Sequence, residues 1–152
     1  MCLIVKIAAN CPLPTAPVDP ERRRIAVLDL NNWPGDGSYT RWMTLPFVYE
    51  VTSRYGCGCD LRLSQNEAWA LTDEDADEEE EISARGTLED WQRVVDVIEI
   101  GLRAGPVELF AATDSELPTV KVESRRRVTS AEIRQFDFQL VERQMVTITT
   151  EK

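Results

Sequence analysis

Hydrophobic and polar positions recur along this chain with two different periods, and the periods divide it into elements. Residues 3–8, Leu-Ile-Val-Lys-Ile-Ala, form a β-branched apolar run with one lysine inside it, the composition of a buried strand. Residues 23–30 and 47–52 alternate well enough to predict two more strands, with Ile25, Val27 and Leu28 as core positions of the first. Residues 87–104 follow a helical period instead. Leu88, Trp91, Val94, Val95, Ile98 and Leu102 recur at spacings of three and four and make a wide apolar stripe. Thr87 with Asp90 has capping-box spacing, and Gly105-Pro106 supplies a stop. A helix of that length spans about 25 Å, enough to cover one face of a sheet.

The remaining segments fit between these. Four prolines, at 12, 14, 17 and 20, make residues 10–20 a loop, and residues 31–38 are a dense cluster of turn formers. Residues 60–63 read as a short return strand after a tight turn at Gly58. Downstream, residues 107–112 predict a strand, 113–116 a turn, and 119–123 a short strand. Thr129 and Glu132 repeat the capping pattern and predict a brief helix to residue 135 or 136. Residues 138–149 predict a closing strand with Leu140, Val146 and Ile148 inside. The order predicts an α+β fold: a mostly antiparallel sheet covered on one face by one long helix (about 87–104), plus a short C-terminal helix.

Composition adds size and sign. At 152 residues with 43% hydrophobic content, residues 1–152 are expected to form a single domain with a core of its own. The net charge is -10, and Asp73, Glu74, Asp75, Asp77, Glu78, Glu79, Glu80 and Glu81 supply eight of the negatives. Like charges at that density repel, so residues 72–82 are expected to form a surface acidic loop, and deleting Asp73 to Glu81 is expected to leave the fold intact and abolish partner capture. The acidity argues against duplex nucleic acid as a partner, because phosphate binding draws on clustered Lys and Arg. No stretch approaches the roughly 20 apolar residues of a membrane span, so no membrane partner is expected. The first residues lack the order of a secretory signal, and a cytoplasmic location is expected by default.

Candidate chemistry is concentrated in Tyr55-Gly56-Cys57-Gly58-Cys59-Asp60, which holds two of the four cysteines in three positions. Thiolates suit zinc, so Cys57 and Cys59 are candidate metal ligands. The usual structural zinc pattern needs a second pair of ligands, and the chain has no histidine. The same two thiols could form a strained, easily reduced disulfide, with Arg54 and Arg62 supplying positive charge and Asp60 opposing it. A plain tight turn with small packed side chains accounts for the motif as well.

The lack of histidine removes Ser-His-Asp and Cys-His catalysis, and no glycine-rich phosphate loop occurs. The opening Met1-Cys2-Leu3-Ile4 resembles the Met-Cys-Gly-Ile start of class II glutamine amidotransferases, but Leu3 stands where that family has glycine, and the likeness is rejected. No catalytic motif and no cofactor are therefore assigned. Two arginine triplets, Arg22-Arg23-Arg24 and Arg125-Arg126-Arg127, could bind phosphate or an acidic partner, and would form one basic patch if the fold joined them; plain solvated charge accounts for them as well. The reading that asks least of the sequence is a small acidic protein-interaction or accessory domain. Its partner would be another protein, contacted through Asp73 to Glu81 or the arginines. The alternative is a thiol-redox or zinc-binding protein centred on Cys57 and Cys59.

Overall fold

The apolar run near the start of the chain forms β1 (Leu3–Ala9), which lies inside a six-stranded sheet. The computed structural model describes residues 2–31, 41–62, 65–116 and 119–150. Around β1 stand β2 (Ala26–Asp29), β3 (Phe47–Thr52), β4 (Val107–Thr113), β5 (Ser124–Thr129) and β6 (Gln144–Thr149), in the order β2-β3-β1-β4-β6-β5. Every pairing is antiparallel except β5 with β6, which is parallel. The sheet is thus mixed but mostly antiparallel, as the α+β pattern implies.

Alternation along β1 sorts its side chains between two faces. Leu3, Val5, Ile7 and Ala9 join Val107, Leu109 and Ala111 of β4 beneath α2 (Glu78–Leu102), whose Trp91, Val94, Val95, Ile98 and Leu102 complete that core. Trp91 stacks on Phe138 at 5.6 Å and donates from Nε1 to the Ile133 carbonyl at 2.7 Å. That bond ties in α3 (Ser130–Arg134), where Thr129 and Glu132 form the predicted capping box. On the other face, Ala8, Phe110 and Met145 lie under Trp42, Met43 and Val120. Trp42 stacks on Phe110 at 5.5 Å, and its indole donates to the Val120 carbonyl at 2.7 Å.

Several expectations need correction. The long helix starts at Glu78, nine residues before the expected start, and Asp77 rather than Thr87 is its N-cap, accepting from the Glu79 amide. Glutamates are good helix formers, and negative charge in a first turn is favoured by the helix dipole, so repulsion loses. Residues 78–81 are therefore helix, and only 72–77 of the expected loop are irregular. After β3 the chain makes a single 3-10 turn (Cys59–Leu61) and then α1 (Gln65–Ala70), not a return strand.

The strand expected at 119–123 lies instead at Ser124–Thr129 and includes the arginine triplet. At a sheet edge both faces can meet water, so three charges in a row do not prevent a strand. The closing strand is shorter than expected, because Arg143 adopts φ 61 just before β6 and breaks any extended run there. Of the turn expected at 31–38, all but Asn31 lies outside the described residues, as does Leu63.

Candidate functional site

The cysteine stretch is a bend at the end of β3 that is pressed against the start of β1. Ser53 receives the Gly56 amide at its carbonyl and donates its own amide to the Cys57 carbonyl, both at 2.9 Å, and Gly56 supplies φ 78. Gly58 is needed for a different reason. A Cβ there would stand 2.4 Å from the Leu3 carbonyl oxygen, inside any tolerable contact. The close approach lets the Leu3 amide donate to Cys59 Sγ at 3.1 Å, while the Cys59 amide donates to Cys57 Sγ at 3.3 Å.

These bonds make the two sulfurs acceptors in a turn. The Leu3 amide alone would lower the Cys59 thiol pKa, but burial, the neighbouring Cys57 and the Asp60 carboxylate together push it above the ordinary value. A reactive thiolate needs the opposite shift. All four cysteines are free thiols. Among the described residues, no three Cys, Asp or Glu groups lie close enough together to hold a metal ion.

Beside this turn runs the first half of α2, joined to it by an ion pair that sequence reasoning missed. Arg54 donates to both oxygens of Asp90 at 2.8 to 3.1 Å, donates its backbone amide to Asp90 at 3.0 Å, and reaches Glu89 at 2.9 Å. Asp90 is 1% exposed. The Asp90 and Glu89 hydrogen bonds raise the Arg54 pKa, and the Arg54 bond holds Glu89 below the usual carboxylate range. A signal was present in the sequence. Asp90 heads the row Val94, Ile98 and Leu102 on the apolar stripe, a place where a carboxylate requires a buried cation.

Between turn and helix lies a cleft of about 470 Å³. Tyr55 and Ile82, 60% and 64% exposed, give it apolar surface; Glu67, Glu79 and Asp60 give it negative charge, while the two arginines in its lining, Arg54 and Arg62, are paired with Asp90 and Glu142. A second hollow of about 280 Å³ shares Glu67, Glu79 and Ser83, so the two run together along the start of α2. Of the eight acidic residues from Asp73 to Glu81, only Glu81 makes an ion pair among the described residues, with Arg85. Asp73 and Asp77 accept from the amides two residues on, whereas Glu78, Glu79 and Glu80 are exposed on the first helical turn.

The two arginine triplets do not meet. Arg22-Arg23-Arg24 precede β2 at one end of the strand order, and Arg125-Arg126-Arg127 lie on β5 at the other, about 24 Å away at the usual strand spacing. The first triplet is largely spoken for: Arg23 pairs with Asp19 and Glu21, Arg24 lies 3.9 Å from Asp19, and Arg22 sits over the Tyr55 ring. The second makes no ion pair among the described residues. No helix among the described residues is long and apolar enough to cross a membrane. Comparison with protein-family models, with curated proteins and with solved structures returns no match.

Proposed function

We propose that this protein is an interaction or accessory domain that holds a basic, amphipathic segment of another protein, in a cytoplasmic setting. One observation carries the reading. The acidic run is built into the start of α2, where unpaired Glu78, Glu79 and Glu80 stand next to a cleft holding exposed Tyr55 and Ile82. Carboxylates in helical array beside apolar surface match a ligand that carries both lysines and apolar anchors. The charges would select the partner and speed its approach, and the apolar residues would hold it.

The thiol-redox or zinc alternative has less support, because the Cys59 thiol pKa is raised and both sulfurs accept backbone hydrogen bonds, Cys59 from β1 and Cys57 within the turn. Stoichiometric zinc in the purified protein, or two thiols gained on mild reduction, would reverse that preference.

The binding reading is tested with a synthetic Lys/Leu amphipathic peptide, titrated calorimetrically into the wild-type chain and into a chain with Glu74, Glu78, Glu79 and Glu80 changed to Gln. We expect affinity to fall about tenfold or more in the variant and to weaken with added salt. An acidic peptide of the same apolar pattern should not bind. Equal affinity for the wild-type and neutralised chains would remove the reading. Deleting residues 73–81 is unsuitable, because it takes away the Asp77 cap and the first turn of α2.

A further inference from the structure

We propose that the free edge of β5 accepts an extended acidic peptide from a partner protein as an additional strand. β5 ends the sheet, with β6 on one side and, among the described residues, no strand on the other. It runs for six residues, Ser124–Thr129; the Thr129 amide is taken by Glu132 in the capping box, and the edge before it can offer unpaired N–H and C=O groups to an incoming chain. The strand register divides the triplet between the faces. Arg125 and Arg127 lie beside Met145 and Thr147 on one face, and Arg126 lies beside Val146 on the face covered by α2, its guanidinium 5.7 Å from the Phe138 ring centre. All three are exposed.

Charge identifies the occupant. Eight other arginines among the described residues are engaged in ion pairs: 23, 24, 54, 62, 85, 93, 134 and 143. Arg125, Arg126 and Arg127 are not, in a chain whose net charge is -10. Arg22, Arg41 and Arg103 also make no ion pair among the described residues, but Arg22 lies over the Tyr55 ring, Arg41 donates to the Val120 carbonyl, and none of the three lies on a strand, so the triplet is the row of neighbouring unpaired cations that a strand edge presents to carboxylates. Cross-strand neighbours place their Cβ atoms about 4.5–5.5 Å apart, within reach of an Arg–carboxylate bond. An incoming strand bearing Glu or Asp at successive positions would meet Arg125 and Arg127 on one face and Arg126 on the other.

The same charges argue against a second copy of β5. Edge-to-edge pairing of two such strands would set arginines opposite arginines, which is destabilising. Exposed charge on an edge also serves as a guard against aggregation. A guard alone predicts that every peptide is rejected, and the present proposal predicts that acidic ones are taken.

The experiment uses the whole chain and three synthetic peptides: one alternating Glu with Val and Thr, the same with Lys for Glu, and an acidic one of equal charge interrupted by prolines. Binding is followed by calorimetry, and hydrogen exchange of the backbone amides locates it. The acidic strand peptide should bind and protect amides within Ser124–Thr129, and the lysine and proline peptides should not. Arg125→Gln/Arg127→Gln, both exposed positions, should weaken binding about tenfold or more with an unchanged circular dichroism spectrum. Binding of the proline peptide with equal affinity, or protection elsewhere than β5, would overturn strand addition. A peptide-free doubling of mass in light scattering that the same variant abolishes would assign the edge to the acidic run of a second copy, and would overturn the partner-protein form.

Discussion

Lys6 stands in the middle of β1, 1% exposed, on the face opposite α2. Its ammonium lies 5.3 Å from the centre of the Trp42 ring, and Glu50 is its neighbour across the pair with β3. Burial lowers its pKa to about 8, an effect that the Glu50 charge only partly offsets, and burial raises the pKa of Glu50. The sign for stability follows from the protons held. Between pH 8 and the ordinary lysine value near 10.5, the unfolded chain binds a proton that folded Lys6 has released, so stability from this group rises with pH across that window. The gain is up to about 3 kcal/mol. Cys59, with its raised pKa, works in the opposite direction at the upper end. Subtracting the curve of Lys6→Met from that of the wild type therefore isolates the lysine. Urea unfolding from pH 7 to 10.5 should show a flatter slope in the variant. Parallel curves would mean that Lys6 is not desolvated as described. The lysine itself was legible in the sequence as an interruption in an apolar run, but its cross-strand partner was not.

Among the elements, α2 best shows what a pattern can and cannot give. The stripe from Trp91 to Leu102 is buried as the spacing requires, because a face of that width has to meet a core. Mutual repulsion among the eight acidic residues, taken alone, predicts a later start than the one the helix has. Helix propensity, the dipole and the Asp77 cap act on the same residues in the other direction. Asp77→Ala should cost about 1 kcal/mol in urea unfolding, and Asp77→Asn should cost much less, since the amide oxygen still accepts the Glu79 N–H. Equal losses would show that the charge matters and the hydrogen bond does not. β5 gives the complementary lesson. Three arginines in a row disfavour a buried strand, and the sequence could not say that this one would lie at an edge.

At the scale of the whole molecule, the Arg54–Asp90 pair joins the sheet to the helix that covers it. It links the residues just after β3 to the α2 face that is packed on the core. Removing one partner of such a pair leaves the other charge buried, at a cost of about 3 kcal/mol or more. Arg54→Met should therefore lower the melting temperature markedly. Arg54→Met/Asp90→Leu should recover most of the loss, because an apolar pair of similar volume can replace a buried ion pair. A double variant no better than the single one would assign the loss to something other than the stranded Asp90. The acidic cleft lies beside this seam, and the arginine edge lies at the far side of the sheet.

The sequence by itself determined the local outcomes. Apolar runs and periods of two and of three to four located every strand but β5 and set the apolar stripe of the long helix, Thr129 with Glu132 set the short one, and glycine marked the bend after β3. Each of these follows from interactions between residues close together in the chain. Tertiary structure decided the rest: which strands neighbour, that Gly58 lies against Leu3, that Arg54 finds Asp90, and that the two arginine triplets stand on opposite edges. Those are contacts between distant segments. They arise because burying both faces of one sheet allows few chain paths, and spacing along the chain carries no record of which path is taken.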